Sequence, residues 1–218
     1  MPRALFEKKG NAVWISHLDL MRLFQRAFKR AGLPLTHTQG YNPRPSVSIA
    51  LPLSVGVESE CELLDFDLDG MTVPVDEICS KLNGALVEGV RVRQVYEDGA
   101  KIKHLALLRS VLTLEYDAGV PRDAVQAIRS LLERSSVMVQ KKGKIGIVDQ
   151  DIIPMIRDFD ITAGEKELRI ELLACCQNPT LNPMQIVTAV ETYLPEFKPN
   201  HARCRRIELY DAAEKIFR

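Results

Sequence analysis

Apolar and polar residues alternate along this chain with two different periods. Strands are predicted at residues 3–8, 47–51, 64–68 and 90–96, and at 64–68 apolar and acidic residues alternate with the period of two that is typical of strands. Apolar residues recur every three to four positions over residues 17–31 and 75–86, which predicts two amphipathic helices. The first 96 residues therefore have the predicted order β-α-β-β-α-β, which is that of a ferredoxin-like domain.

The second half of the chain repeats this pattern. Strands are predicted at residues 111–116, 137–140, 168–174 and 203–210, with one or two more between 145 and 161. A helix is predicted at 121–134. A second is predicted to begin after Asn182, its cap, with Pro183 in the first position, and a short third one at the C terminus. A polar, Gly-containing linker spans 97–101. We expect an α+β fold of two tandem ferredoxin-like domains, at 1–98 and 102–218, the second with an extra hairpin.

Composition and charge narrow the choice of function. The 218 residues are 46% hydrophobic and carry 29 basic and 29 acidic side chains, so a global positive charge cannot argue for nucleic-acid binding. The charges are uneven, however. Residues 1–52 contain eight basic and two acidic side chains, whereas residues 53–100 contain three basic and eleven acidic ones. A local basic surface in the first segment is therefore expected.

Several classes of protein lack support in the sequence. No apolar run approaches the roughly 20 residues that span a bilayer, so we expect a cytoplasmic protein with no membrane partner. The five cysteines have no metal-ligand spacing, and we interpret them as buried or incidental thiols. Nucleotide-binding loops, Ser-His-Asp signatures and zinc-protease motifs are absent. The sequence predicts no cofactor and no metal site, and it favours a binding protein over an enzyme.

Two neighbouring features suggest RNA binding. The helix at 17–31 carries a basic stripe opposite its apolar face, formed by Arg22, Arg26, Lys29 and Arg30. The loop that follows is stiffened by Gly40, Pro43 and Pro45 and presents Gln39, Tyr41, Asn42 and Arg44. An aromatic ring, amides and a guanidinium on a rigid loop suit base stacking and phosphate binding. The alternatives are a solvated helix face and a purely structural connection.

Other residues are weaker candidates for chemistry. His17 and His37, with Tyr41 and Lys29, are candidates for a general acid/base set in metal-independent RNA cleavage, although a packing or hydrogen-bonding role explains either histidine better. Three alternating carboxylates are candidates for a cation site or a surface for a basic partner, namely Asp65, Asp67 and Asp69. Further basic groups occur in the turn 141–144 and at Arg203, Arg205 and Arg206.

Several specific strings resemble an uncharacterised radical-SAM-linked protein family. They are Ser16-His17-Leu18-Asp19-Leu20, the string from Thr38 to Pro45, and the run from Ala50 to Ser59. The resemblance extends over nearly the whole chain. Members commonly have phenylalanine at the position of Tyr41 and histidine at that of Arg44, which weakens any mechanism that needs an imidazole there.

The resemblance implies a radical SAM partner and a role in RNA or ribosome-related modification. The chain lacks a three-cysteine cluster motif, so the partner would hold the radical chemistry. Three hypotheses follow: an accessory RNA-binding module, a metal-independent endoribonuclease using His17 or His37, and a protein-interaction adaptor without RNA contact.

Overall fold

The computed structural model describes residues 1–70, 72–143 and 146–218. Over these residues the helices are α1 (His17–Arg30), α2 (Val75–Ala85), α3 (Ala124–Leu132) and α4 (Met184–Tyr193). The strands are β1 (Arg3–Lys8), β2 (Val47–Ile49), β3 (Glu58–Phe66), β4 (Val90–Tyr96), β5 (Leu105–Glu115), β6 (Met138–Gly143), β7 (Gly146–Asp151), β8 (Ile156–Ala163), β9 (Glu167–Cys175) and β10 (His201–Asp211). The predicted α+β class is confirmed. No helix of the described part is long and apolar enough to cross a membrane.

The chain divides into two compact units. The first contains residues 1–104 together with 216–218, and the second contains residues 105–215. In the first unit the strands lie in the order β4-β1-β3-β2, and every pairing is antiparallel. In the second unit the order is β10-β5-β9-β8, again antiparallel, with β6 and β7 forming a separate hairpin. The element order of residues 3–96 is the predicted one.

The core of the first unit explains why its helices form where the periodicity places them. Helix α1 buries its apolar stripe, including Phe24 and Phe28, against the sheet. The Phe24 ring meets Phe6 of β1 edge to face with centroids 4.7 Å apart, and Phe28 meets Phe66 of β3 at 4.9 Å. These contacts fix which face of α1 remains exposed.

The start of α1 is held by a buried lysine and a serine cap. Lys8 is only 1% exposed, and its Nζ donates to the carbonyls of Val13 and Ile15 at 3.1 and 2.8 Å. These carbonyls belong to the turn that leads into the helix, so the buried charge is satisfied. Ser16 caps the helix, because its Oγ accepts from the Asp19 backbone N–H and donates to the Asp19 carboxylate.

Four predicted details were wrong or displaced. Helix α3 is shorter than 121–134, and the C terminus contains no helix in the described residues. Pro183 rather than Asn182 is the cap residue of α4, although Asn182 Oδ1 does accept from the Met184 N–H. The acidic row is not one strand face, because β3 ends at Phe66 and leaves Asp67 and Asp69 beyond it.

Candidate nucleic-acid interface

The exposed face of α1 carries the predicted basic stripe, but its four cations differ in their surroundings. Arg22 forms an ion pair with Asp19 at 3.0 Å, and Arg30 Nη2 donates to the backbone carbonyl of Ala85 at the end of α2. Arg26 and Lys29 are exposed and make no side-chain hydrogen bond or ion pair within the described ranges. These two cations are therefore the members of the stripe left available to a ligand.

The end of α1 reverses the chain beside the stripe. Gly32 adopts a φ of +66°, and the Leu33 N–H reaches back to the Phe28 carbonyl at 2.9 Å. This is the hydrogen-bond pattern of a Schellman motif, in which a left-handed residue ends the helix. Leu33 is then buried, and the following segment runs back past the last turns of α1.

The loop after this reversal has a fixed base. The Thr36 N–H and Oγ1 both donate to Asp67, to its carbonyl at 3.0 Å and its carboxylate at 2.9 Å. Ser46 N–H donates to the Thr36 carbonyl, and Thr38 and Arg44 exchange two hydrogen bonds of 2.8 and 3.0 Å. The loop is therefore a closed projection, held at its base by main-chain hydrogen bonds as well as by its prolines.

The tip of this projection presents the predicted binding residues to solvent. Gln39, Asn42 and Arg44 are exposed, and Tyr41 is fully exposed. A tyrosine ring stabilises a fold when it is buried, so the exposed Tyr41 ring contributes little to the stability of this one. The Tyr41 ring is available for stacking on a ligand.

A groove lies between the last turns of α1 and the base of the loop. Its volume is about 440 Å³, and it is lined by Gln25, Phe28, Lys29, Gly32, Leu33, Pro34, Leu35, His37 and Pro45. Lys29 and His37, which were both sequence candidates, are thus brought to one site. Gln25 was missed by sequence reasoning, because its position on the flank of the basic stripe gives no signal of its own.

His17 does not join this site. It is the first residue of α1, whereas Lys29 is in its last turn, a separation of about 18 Å at 1.5 Å per residue. Its Nδ1 is buried and has no hydrogen-bond partner within the described residues. The acid/base set of His17, His37, Tyr41 and Lys29 is therefore not assembled as one cluster.

The acidic candidates have structural partners instead. Asp65 accepts two hydrogen bonds from Arg3, at 2.6 and 3.0 Å, and Asp67 accepts from Thr36 at the loop base. No group of three or more possible metal ligands occurs within residues 1–70, 72–143 and 146–218. Two of the three carboxylates predicted as a cation site or a surface for a basic partner are thus engaged elsewhere, Asp65 with Arg3 and Asp67 with Thr36, whereas Asp69 is exposed.

The basic candidates of the second unit are also mostly engaged. Arg203 bridges Glu115 and Glu167 on neighbouring strands, both at 2.7 Å. Arg205 and Arg206 each interact with other groups. Of the turn 141–144, Lys144 lies outside the described residues. The first unit therefore holds the clearer candidate interface.

The environment of two cysteines supports the interpretation as buried thiols. Burial raises the pKa of the Cys176 thiol to about 12 and that of Cys204 to about 11, although the nearby Arg206 charge opposes the shift in both. A thiol protonated at neutral pH is a poor nucleophile and a poor metal ligand. Cys61 is buried as well, whereas Cys79 and Cys175 are half-buried.

Comparison with solved structures finds a chain of similar fold at low sequence identity. A chain in the crystal structure of a Cbf5-Nop10-Gar1 complex matches 95% of this chain with a TM-score of 0.53 and 8% identity. This chain spans 48% of that one, about half its length. An unknown protein from Galdieria sulphuraria matches 94% of this chain at 12% identity, with a TM-score of 0.25. At 8% identity the first match bears on the fold alone, and the TM-score of the second is too low to support a statement about the fold.

Sequence comparison gives a family assignment without an activity. None of the curated proteins matches this chain. A family profile matches residues 2–183, which include all of the first unit except residue 1 and residues 216–218, and most of the second. The matched region contains the basic stripe, the projecting loop and the groove. This chain belongs to the family of uncharacterised proteins conserved in bacteria designated DUF2344.

Proposed function

We propose that this protein is a non-catalytic RNA-binding module that acts with a radical SAM protein in RNA or ribosome-related modification. Single-stranded RNA binds along α1 and the projecting loop of the first unit. The observation that carries this proposal is Tyr41, a fully exposed aromatic ring at the tip of a hydrogen-bonded loop beside unpaired cations. Stacking of bases on such rings is the common means of binding single strands.

The charges next to Tyr41 support a polyanionic ligand. Arg26, Lys29 and Arg44 are exposed, and their side chains make no hydrogen bond or ion pair within the described part of the chain. Guanidinium and ammonium groups in this state bind phosphates at little cost, because no existing ion pair has to be broken. Gln39 and Asn42 add amide donors and acceptors for base edges.

The topology supports a ferredoxin-like assignment for both units. Each has an antiparallel sheet with the first strand of the unit next to the last, and two helices between strands. In this proposal the hairpin of β6 and β7 is an insertion in the second domain. The radical SAM partner rests on the resemblance of the 16–20, 38–45 and 50–59 strings, and the cytoplasmic location stays a prediction from the sequence.

The test is binding of labelled single-stranded RNA followed by fluorescence anisotropy. We expect Tyr41→Ala to weaken binding about tenfold, in line with about 1–3 kcal/mol per stacked base. Arg26→Glu with Lys29→Glu should nearly abolish binding and flatten its dependence on salt. Arg22 and Arg30 stay unchanged, because their side chains have partners in the fold.

The matched control reverses the same two charges elsewhere on the first unit. Arg91→Glu with Lys101→Glu changes exposed cations on β4 and after it, so RNA affinity should remain close to that of the parent. Equal losses in both double variants would indicate a general charge effect. No RNA binding by the parent would refute the proposal and favour the adaptor hypothesis.

Co-purification tests the partner. A tagged chain isolated from native cells should retain a radical SAM protein, and deletion of the chain should lower the modification without changing the modified atom. If the tagged chain retains RNA but no radical SAM protein, the RNA-binding part of the proposal stands and the proposed partner is refuted.

One observation favours a second candidate function. His37 and Lys29 line the same groove, which is an arrangement that could serve metal-independent RNA cleavage. We expect no cleavage by the purified chain, with or without divalent cations. Cleavage without metal that His37→Ala abolishes and His17→Ala preserves would identify the protein as an endoribonuclease.

A further inference from the structure

We propose that the groove between α1 and the projecting loop is a pocket for one unstacked nucleobase of the bound RNA. This inference rests on the proposed function and adds a specific site to it. The base enters with its ring against the apolar floor and its edge towards Gln25 and His37. Lys29 binds the adjacent phosphate.

The size and composition of the groove suit this ligand. Its volume of about 440 Å³ falls within the range of small-molecule sites, roughly 300–1,000 Å³. Pro34, which is exposed, and Pro45, which is half-buried, give the groove an apolar floor of rigid rings, and Phe28, Leu33 and Leu35, which also line it, belong to the buried core. A planar heterocycle has two faces that gain from contact with such surfaces.

The polar groups of the groove match the edge of a base. Gln25 supplies an amide donor and acceptor, and a neutral His37 supplies one donor and one acceptor. Neither side chain makes a hydrogen bond over residues 1–70, 72–143 and 146–218. Recognition of single-stranded RNA uses hydrogen bonds to base edges that pairing has left free.

The charge of the groove favours a phosphate. Lys29 is exposed and without an ion-pair partner in the described chain, and no aspartate or glutamate lines the groove. An anionic group beside Lys29 therefore meets an unneutralised ammonium and no opposing carboxylate.

Both walls of the groove are fixed before any ligand binds. The Schellman motif at Gly32 sets the turn after α1, and the Thr36 hydrogen bonds to Asp67 and Ser46 hold the base of the loop. A preformed site avoids part of the ordering cost of binding.

The surroundings favour a base within a strand over a free nucleotide. Tyr41 and Arg44 project from the loop that forms one wall of the groove, and Arg26 lies about one helical turn before Lys29 on the other wall. Cationic and aromatic groups thus continue beyond the space that one nucleotide would fill, which suits neighbouring nucleotides of the same chain.

The experiment compares octauridylate with an abasic ribose-phosphate octamer of equal charge. Gln25→Phe places a ring in the groove without changing any charge. We expect it to weaken octauridylate binding about tenfold and leave binding of the abasic octamer unchanged. Combined with Tyr41→Ala, the two losses should be additive, since each variant removes a different base contact. The matched control is Ser80→Phe, which adds the same ring to an exposed position of α2 and should change neither affinity.

The contrary results separate this inference from the proposed function. If Gln25→Phe binds octauridylate as the parent does, while Tyr41→Ala still weakens it, the nucleobase pocket is refuted and RNA binding stands. Equal losses of both octamers in Gln25→Phe also refute the pocket. If the parent binds neither octamer, both proposals fail. Binding of uridine monophosphate alone, blocked by Gln25→Phe, would then reassign the groove to a free nucleotide.

Discussion

The ion pair between Arg3 and Asp65 changes the role assigned to Asp65. Arg3 is 2% exposed, donates two hydrogen bonds to Asp65, and lies 5.4 Å from the centre of the Phe217 ring. Gly99 passes so close to the guanidinium that a Cβ there would lie 2.5 Å from its central carbon. Asp65 therefore stabilises a buried charge, and the acidic strand face predicted from period-two spacing was wrong.

Removal of the Asp65 charge should be costly. Asp65→Asn leaves a buried guanidinium without its counter-ion, and we expect the free energy of unfolding to fall by about 3 kcal/mol. Urea denaturation followed by circular dichroism measures the change. Asp98→Asn is the control, because Asp98 pairs with the N-terminal amine in an exposed position and should have no measurable effect. Equal stability of the two variants would contradict the role assigned to the Arg3 pair.

Cys176 and Cys204 should make the protein less stable at alkaline pH. Their pKa values in the fold, about 12 and about 11, lie above the ordinary value of 9.0 because both thiols are buried. As the pH rises from 9 towards 11 or 12, the unfolded chain releases these protons while the fold retains them, so the free energy of unfolding declines. Cys176→Ala with Cys204→Ala should give a shallower decline in urea titrations at pH 8–11. If the slope of the free energy of unfolding against pH is unchanged in this variant, other groups cause the decline.

At the scale of elements, helix positions followed from the sequence better than helix ends did. The apolar periodicity of residues 17–31 and 75–86 located α1 and α2 within a few residues, because burial of one face stabilises a helix wherever it docks. The groove was not predictable in this way. It exists because the chain reverses locally at Gly32 and because the loop base is tied to Asp67, which is 31 residues from Thr36 in the sequence.

Two glycines in the first unit should respond to alanine with opposite signs. Gly32 has a φ of +66° and open space around it, so Gly32→Ala should cost about 1 kcal/mol through backbone strain alone. Gly84 lies inside α2, also with open space, so Gly84→Ala should stabilise the fold by about 0.5–1 kcal/mol. Thermal and urea unfolding test both variants. Destabilisation by both would mean that packing rather than backbone conformation decides.

At the scale of the whole molecule, the chain returns to the first unit at its very end. Residues 216–218 belong to that unit, where the Ala100 N–H donates to the Arg218 carbonyl at 2.8 Å and Phe217 is 3% exposed. The segment 97–101, predicted to be a linker, therefore packs against the terminus. A short helix was predicted at the C terminus, where the described residues contain none.

Removal of the Phe217 ring should lower the stability of the first unit. Phe217→Ala removes a buried ring that contacts Arg3, and we expect a loss of about 3 kcal/mol with faster amide exchange in β1 and residues 97–100. Ile216→Ala is the neighbouring control, because Ile216 is 60% exposed and should have little effect. Unaltered exchange in β1 after Phe217→Ala would contradict the role of the terminus in this unit.

The sequence by itself determined the α+β class, the order of strands and helices along residues 3–96, and the residues of the projecting loop. These follow from periodicity and from local backbone limits at glycine and proline, which act over a few residues. The tertiary structure decided which charges remain available. Arg22, Arg30, Asp65 and Asp67 looked like free surface groups, but each has a partner in the fold, whereas Arg26, Lys29 and Tyr41 have none in the described chain. Of the four that have partners, only Arg22 pairs locally, with Asp19 three residues before it. The partners of Arg30, Asp65 and Asp67 come from distant segments, so no local pattern specifies them.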